Sequence, residues 1–242
     1  MQTDSLERLV PEFIQPQEIT GQQTLDLHLE RYEFAARQAV PGRILDIACG
    51  VGYGSRLLCD TIAGCHEVIG VDLCAESIAY AKRKYGNCNI HFLTSDVMDF
   101  MDKDSFDTIV SLETIEHIPN PSGFITHMMT LLKPGGIFIG SVPTTPTVDA
   151  NPHHLHDFTE VSFRRLLTQH KVKEKACLRQ VQPYNPITVL SRKEARLNDL
   201  RQNMGQYYFA HPQALFHRLW STLRFGFSNR YITIAWQTAN QA

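Results

Sequence analysis

The sequence lacks a strong excess of either charge, an apolar run of membrane-spanning length, and a pair of cysteines at zinc-ligand spacing. Its net charge is -2 in 242 residues, which gives no electrostatic reason to expect a nucleic acid partner. The six cysteines show no ligand pairing, so we expect reduced thiols. The first residues, MQTDSLERLVPEF, place acids and a proline where a signal sequence needs an unbroken apolar core. We therefore expect a cytoplasmic protein.

The stretch ILDIACGVGYGS, from Ile44 to Ser55, predicts a buried strand that ends in a glycine-rich turn. Gly50, Gly52 and Gly54 allow unusual backbone angles and remove side chains that would hold a ligand away. The helix that follows would point unpaired amides at the same crevice. The Gly-x-Gly-x-Gly spacing, without lysine, departs from both the dinucleotide fingerprint and the phosphate loop.

A second apolar run, EVIGVD, ends at Asp72, about twenty residues past the turn, where a ribose-binding acid is expected. Its carboxylate could accept both ribose hydroxyls. The alternative is an N-cap for a helix over Ala75 to Tyr85, and the two roles can coexist.

Five segments, in order, resemble the class I S-adenosylmethionine-dependent methyltransferases, of a small-molecule type similar to methyltransferase domain 11. The resemblance extends from about Pro41 to Val142, and its segments are Asp46 to Gly54, Asp72, Thr94 to Asp96, Phe106 to Ile118, and Leu131 to Pro143. It implies S-adenosyl-L-methionine as the cofactor. The family's commonest first motif carries glycine where this chain has Ala48, which is small enough that we expect binding to survive. The cofactor-binding residues predicted in this way are Tyr32, Asp46, Ala48, Gly50, Gly52, Asp72, Leu73, Ser95, Asp96, Val97, Leu112 and Glu113.

Strand and helix patterns alternate along the chain, which predicts an α/β fold with a doubly wound, seven-stranded, mostly parallel sheet of Rossmann-like type. The predicted strands are 43–47, 67–72, 89–93, 106–112, 136–142, 172–182 and 230–237. The predicted crossover helices are 54–62, 75–85, 121–132 and 159–168. The family resemblance implies that the last strand is antiparallel.

Two additions flank this domain, which we place at residues 41–184 and 230–242. An N-terminal cap segment, 1–40, contains a predicted helix from Thr24 to Ala39. There, Tyr32 either touches the methionine end of the cofactor or packs in the core.

The second addition, 185–229, is a long, aromatic and basic insertion before the last strand. It is predicted to be a lid over the acceptor pocket, with a dimer contact or a peripheral membrane-facing surface as alternatives. The helical spacing of Leu215, Leu219 and Leu223 also fits simple packing on the sheet.

Two polar groups follow the fourth and fifth strands, on the side expected for the acceptor. The first contains Glu113, Glu116 and His117, where His117 either removes a proton or helps to line the cofactor pocket. The second lies in the stretch from Ser141 to Thr159, which resembles an Asn-Pro-x-His segment of many bacterial methyltransferases thought to modify sugars and other metabolites. The predicted catalytic residues are His117, His153, His154 and His156.

The histidines after the fifth strand have three interpretations: a general base or acceptor-orienting role, a divalent metal site, or a plain loop or helix-capping role. Asp157 or Thr159 is the candidate cap of the next helix. A metal site needs three ligands that converge in space, which adjacency in sequence does not provide, so no metal ligand is predicted.

The sequence therefore predicts a transferase that methylates a small molecule, favouring O-methylation of a sugar or secondary metabolite. A weakly nucleophilic hydroxyl benefits from a base, which the histidines could supply. N-methylation of an amine is the near alternative, and a homodimer is left open. A non-catalytic cofactor-binding subunit is the alternative from another class. A nucleotide-dependent oxidoreductase is disfavoured by the glycine spacing.

Overall fold

A seven-stranded sheet forms the centre of the computed structural model, which describes residues 9–192 and 194–240. The strands are β1 (Arg43–Ile47), β2 (Glu67–Asp72), β3 (Ile90–Thr94), β4 (Phe106–Ser111), β5 (Leu132–Pro143), β6 (Val172–Pro183) and β7 (Ser228–Thr238). Their order in space is β3-β2-β1-β4-β5-β7-β6. Strands β1 to β5 pair in parallel, and β7 runs antiparallel to β5 and β6. The predicted fold class is confirmed, including its antiparallel last strand.

One helix precedes β1, and the others lie in connections between strands. The helices are α1 (Ile19–Gln38), α2 (Tyr53–Thr61), α3 (Ala75–Tyr85), α4 (Pro121–Leu131), α5 (Glu160–Leu167), α6 (Pro186–Ser191), α7 (Met204–Ala210) and α8 (Pro212–Phe225). Single 3-10 turns lie at Pro11–Phe13, Ile115–His117 and Ala195–Asp199. Ile109 and Val110 belong to different buried apolar clusters. Because successive side chains of a strand point to opposite faces, the core covers both sides of the sheet.

The observed bounds match the predicted strands and crossover helices closely, except at the start of β5. That strand begins at Leu132 rather than at residue 136. Its pairing with β4 is irregular between Phe106 and Thr108, and Gly135 has a φ of 78°. Gly135, predicted to precede the strand, therefore lies within an irregular part of it.

Helix α1 begins at Ile19, five positions before the predicted start at residue 24. No side chain at the helix start caps it. Instead the carboxylate of Glu194, from the insertion, accepts the backbone N–H groups of Thr20 (3.1 Å) and Gly21 (3.3 Å). A carboxylate at a helix N-terminus satisfies unpaired donors and interacts favourably with the helix dipole. The extra turn of α1 therefore depends on a residue far away in sequence.

The two residues considered as caps of α5 have different roles. Thr159 is the N-cap, since its Oγ1 accepts the backbone N–H of Ser162 at 3.1 Å. Asp157 instead accepts the backbone N–H groups of Thr147 (2.7 Å) and Val148 (3.1 Å), which shapes the loop after β5.

A buried ion pair holds α7 and α8 against the loop after β5. Asp149, 2% exposed, accepts hydrogen bonds from Arg218 Nε (2.8 Å) and the hydroxyl of Tyr208 (2.6 Å). Arg218 also donates to the carbonyl of Pro146 at 2.6 Å. Burial opposes ionisation of Asp149, but these hydrogen bonds and the charge of Arg218 hold its pKa below the usual range.

The apolar stripe of α8 does not pack on the sheet. Leu219 is 54% exposed and Leu223 is 82% exposed, and Leu215 is also exposed. Among the described residues, no helix has both the length and the apolar character that crossing a membrane requires. Residues 1–8 of the predicted cap segment, Lys193 of the insertion and residues 241–242 lie outside the described residues.

Replacing Arg218 with methionine should loosen α7 and α8 without unfolding the sheet. The change keeps much of the side-chain volume but leaves Asp149 as a buried, uncompensated charge, which costs about 3 kcal/mol. Amide hydrogen exchange should become roughly 100-fold faster in 204–225 and stay unchanged in β1 and β4. Arg224→Met, at an exposed arginine of the same helix, is the control. Equal exchange in both variants would show that the ion pair does not hold these helices.

Candidate functional site

A cavity of about 610 Å³ lies at the edge of the sheet where β1, β4 and β5 end. Residues that follow these strands line it, among them Gly50, Glu113 and Thr147. Helix α1 adds Arg31 and Tyr32, and the insertion adds further lining residues. Ligands of open α/β sheets bind at this position, outside the carboxyl ends of the strands.

The turn after β1 presents bare backbone to the cavity. A Cβ added to Gly50, where φ is 56°, would meet no atom within 4 Å and would extend into open space. Ala48 also has a positive φ, 61°, a conformation that costs a residue with a Cβ roughly 1 kcal/mol. This backbone angle explains why glycine is usual at that position in the family that the sequence resembles.

The other two glycines of the turn are in close contact with aromatic rings. A Cβ on Gly52, where φ is 86°, would lie 2.7 Å from the ring of Phe92. A Cβ on Gly54 would lie 1.9 Å from the ring of Tyr32. Gly52, predicted to bind the cofactor, does not line the cavity. Because it has no side chain, the turn can pack against Phe92 of β3.

Asp72 fixes the turn from the neighbouring strand. Its Oδ2 accepts the N–H of Gly50 at 2.9 Å, and its Oδ1 accepts the N–H of Cys74 at 2.8 Å. Cys74, not Asp72, is the N-cap residue of α3. Ser95 lies next to Asp72, since its N–H donates to the Asp72 carbonyl at 3.1 Å. Five residues predicted to bind the cofactor on this side lie outside the cavity lining: Asp72, Leu73, Ser95, Asp96 and Val97.

A buried carboxylate, Asp46, connects three elements behind the turn. It accepts hydrogen bonds from Ser55 Oγ of α2 (2.6 Å) and from the hydroxyl of Tyr32 of α1 (3.3 Å). Burial raises the pKa of Asp46 to about 7, and nearby Asp72 adds to the shift, although the two hydrogen bonds oppose it. Tyr32 is 5% exposed and packs in the core, and it also borders the cavity. Its contact with the methionine end of the cofactor stays a prediction.

Arg31 is a cavity residue that the sequence analysis missed. It is 1% exposed; its Nε donates to Gln180 Oε1 at 2.7 Å, and its guanidinium lies 4.4 Å from the ring centre of Tyr231. Its Nη1 lies 3.7 Å from Glu113 Oε1 and has no hydrogen-bond partner. A buried donor of this kind suits an anionic group of a ligand. In the structure Arg31 lies one turn before the fully buried Ala35, on the buried face of the helix, and no pattern in the sequence marked it.

Leu112 and Glu113, both predicted to bind the cofactor, line the cavity at the end of β4. Glu113 has a φ of 48°, a strained angle for a residue other than glycine. Its N–H donates to Ser141 Oγ at 2.9 Å, and that hydroxyl donates back to Glu113 Oε1 at 2.7 Å. Ser141 of β5 therefore holds the strained residue and its side chain in place.

Three side chains converge where the loops after β4 and β5 meet: Glu116, His117 and His154. One nitrogen or oxygen atom of each lies within 4.8 Å of the other two. The imidazoles of His117 and His154 have centroids 4.6 Å apart in an edge-to-face arrangement. All three residues line the cavity, and Glu116 is fully buried. Burial, and then His117 and His153, lower the pKa of His154 to about 3, so it is neutral at physiological pH.

The two remaining predicted catalytic histidines do not line the cavity. His153 has an exposed side chain, and its carbonyl accepts a hydrogen bond from His117 Nδ1 at 3.1 Å. His156 Nε2 donates to the carbonyl of Ile118 at 3.0 Å, and its ring lies beside that of Phe158. Both therefore connect the loops that hold the cluster of Glu116, His117 and His154.

Replacing Asp46 with asparagine should change how stability depends on pH. The folded-state pKa of Asp46, about 7, exceeds the unfolded value of 3.8. The unfolded state therefore ionises first, and the fold loses stability as the pH rises from about 4 to about 7. Above that range Asp46 is ionised in both states, and the loss is complete. Asparagine does not ionise. The stability of the variant minus that of the wild type should rise by about 2 to 3 kcal/mol between about pH 5 and about pH 8, measured by urea unfolding. A constant difference would show that Asp46 has an ordinary pKa.

Comparison with known proteins relates this site to one family. Residues 45–140 match the family model described as a methyltransferase domain. A probable S-adenosylmethionine-dependent methyltransferase of Mycolicibacterium smegmatis is 27% identical over 165 residues, which cover 62% of this chain and 63% of that protein. A ubiquinone biosynthesis O-methyltransferase of Xanthomonas campestris pv. campestris is 30% identical over 149 residues, covering 53% of this chain and 61% of that protein. The chain thus spans less than two thirds of the length of either relative.

A solved structure extends the likeness to most of the chain. It is the N-methyltransferase NodS from Bradyrhizobium japonicum WM9 in complex with S-adenosyl-L-homocysteine. Its TM-score is 0.59 at 14% identity, covering 89% of this chain and 87% of that one. At this identity the likeness concerns the fold alone.

Proposed function

We propose that this chain, whose residues 45–140 form a class I S-adenosylmethionine-dependent methyltransferase domain, transfers a methyl group from that cofactor to a hydroxyl oxygen of a small molecule. The match to the methyltransferase-domain model and the methyltransferase relatives confirm the predicted family and cofactor. One observation supports a hydroxyl as the acceptor. Glu116, His117 and His154 converge on the same cavity that the glycine turn borders.

The residues on the turn side fit the cofactor. S-adenosylmethionine supplies an electrophilic methyl group on a positively charged sulfur. Gly50 leaves open space for this cofactor. We assign Arg31 Nη1, which lies 3.7 Å from Glu113 Oε1 but has no hydrogen-bond partner, to the carboxylate of the cofactor. Asp72 already accepts two N–H groups, but each carboxylate oxygen has a further lone pair for a ribose hydroxyl.

The insertion determines the character of the acceptor. We assign 185–229 to a lid that forms the acceptor wall, because it lines the cavity mainly with apolar and aromatic side chains. These include Val189, Leu197, Leu200, Met204, Leu219 and Phe227. Apolar walls favour a ligand with an apolar or aromatic body. Of the sugars and secondary metabolites predicted from sequence, this lining supports the second class, a hydroxyl on an apolar skeleton.

We place the acceptor hydroxyl beside the cluster of Glu116, His117 and His154, all of which line the cavity. During the reaction the acceptor oxygen gains the methyl group and loses its proton, and S-adenosylhomocysteine is the second product. His154, with a pKa of about 3, is a weak base at neutral pH and serves as a neutral hydrogen-bond acceptor or ligand. We assign the cluster to accepting the hydrogen bond of the acceptor hydroxyl and orienting its oxygen toward the methyl group, with the hydroxyl proton leaving to solvent.

Replacing Gly50 with valine should abolish cofactor binding. The side chain would enter the open space beside the turn, and calorimetric affinity for S-adenosylhomocysteine should fall at least 100-fold. Gly64→Val controls for backbone strain, because Gly64 also has a positive φ, 81°, in an exposed turn after α2. If both variants bind like the wild type, the cofactor does not lie against Gly50. Strong wild-type binding of a nicotinamide dinucleotide instead would favour an oxidoreductase.

Replacing His154 with alanine should spare cofactor binding and reduce turnover at least 100-fold. The assay follows S-adenosylhomocysteine release with phenols, hydroxylated sugars and aromatic amines as acceptors. His91→Ala, at an exposed histidine of β3, is the control and should keep full turnover. Methylation of amines but not of hydroxyls would favour the N-methyltransferase alternative. Cofactor binding without turnover of any acceptor would favour the non-catalytic subunit.

A further inference from the structure

We propose that Glu116, His117 and His154 bind a divalent transition metal ion at the wall of the cavity. Their ligand atoms lie within 4.8 Å of one another, and they come from the loops after two neighbouring strands. The neighbouring histidines after β5 do not by themselves form a set of three converging ligands. In the structure, Glu116 and His117 from the loop after β4 join His154 from the loop after β5.

Backbone hydrogen bonds bring the two loops together. The carbonyl of Glu116 accepts the N–H groups of Leu155 (2.8 Å) and His156 (3.3 Å). These contacts fix the segment around His154 beside Glu116 and His117. The ligand set is therefore held by main-chain structure and does not depend on the rotamer of one surface side chain.

Both imidazoles are oriented by an oxygen on the far side of the ring. His117 Nδ1 donates to the carbonyl of His153 at 3.1 Å, and His154 Nδ1 lies 2.7 Å from Thr147 Oγ1. With a proton on each Nδ1, the lone pair of each ring lies on Nε2. Metal-binding histidines almost always have such an oxygen partner on the second nitrogen, which fixes the tautomer and the ring direction.

The donor set is typical of a catalytic transition-metal site. Two imidazoles and one carboxylate bind zinc in several hydrolases, and the same set binds non-haem iron. Ligand atoms about 2.1 Å from a tetrahedral metal are about 3.4 Å apart, so an ion would draw these side chains together by roughly 1 Å. Glu116 is fully buried, and a metal ion would balance the charge of its carboxylate.

Three protein ligands leave a coordination position for another molecule. All three residues border the cavity, so this position opens toward the acceptor space. The role of the metal rests on the proposed function: it would orient the acceptor hydroxyl and lower its pKa, with the proton leaving to solvent. Binding of the metal itself does not depend on that function.

The test is titration of untagged, chelator-treated protein with Zn²⁺ and Co²⁺ in the absence of cofactor and acceptor. We expect one equivalent of Zn²⁺ to bind at micromolar affinity or better, and the visible spectrum of the Co²⁺ form to show nitrogen and oxygen ligands. Glu116→Gln, which keeps the side-chain volume, and His154→Ala should each weaken Zn²⁺ binding at least 100-fold. S-adenosylhomocysteine binding is measured in parallel.

His153→Ala is the matched control, because it removes an adjacent, exposed histidine side chain but keeps the carbonyl that orients His117. The proposal is overturned if the wild type binds no metal, if the Co²⁺ spectrum shows thiolate ligands, or if His153→Ala loses as much affinity as His154→Ala. Cofactor binding without metal binding would leave the proposed methyl transfer intact. Metal binding without cofactor binding would overturn the methyl transfer alone.

Discussion

The carboxylate of Asp46 is the interaction on which the geometry of the cavity depends. It lies at the end of a central strand and accepts hydrogen bonds from α1 and α2, the two helices beside the glycine turn. Tyr32, which makes one of these bonds, also occupies the space that Gly54 leaves. The turn, the helix that covers it and the strand that precedes it are therefore positioned together. The cost is a buried acid whose ionisation the fold opposes near neutral pH.

Two more buried carboxylates attach the insertion to this framework. Asp149 binds α7 and α8 through Tyr208 and Arg218, and Glu194 caps α1. The apolar pattern of the sequence predicts the contacts of neither carboxylate. Because polar contacts at a few points fix the insertion, its apolar side chains need not pack against the sheet. Some of them line the cavity instead, and others, such as Leu223, face outward.

Local sequence predicted those parts of the fold and site that local physics determines. The bounds of β1, β2 and α3 follow from apolar periodicity, and so does the place of Asp72 at the end of a buried strand. Its hydrogen bond to the N–H of Gly50 was not predicted. The first turn of α1 could not be predicted, because its cap comes from a residue 174 positions away. The cluster of Glu116, His117 and His154 could not be predicted either, since Glu116 and His154 belong to different loops that meet only in the folded protein. Arg31 was missed because a charged residue in a helix normally faces solvent.

The contact between Glu194 and the first turn of α1 has a kinetic consequence. It joins the two segments that cover the cavity, one from each end of the chain, through a single carboxylate. If these segments move as one body, a molecule bound beneath the insertion also blocks the exit of one bound beneath α1. The order in which molecules enter and leave the cavity would then be set by one shared gate.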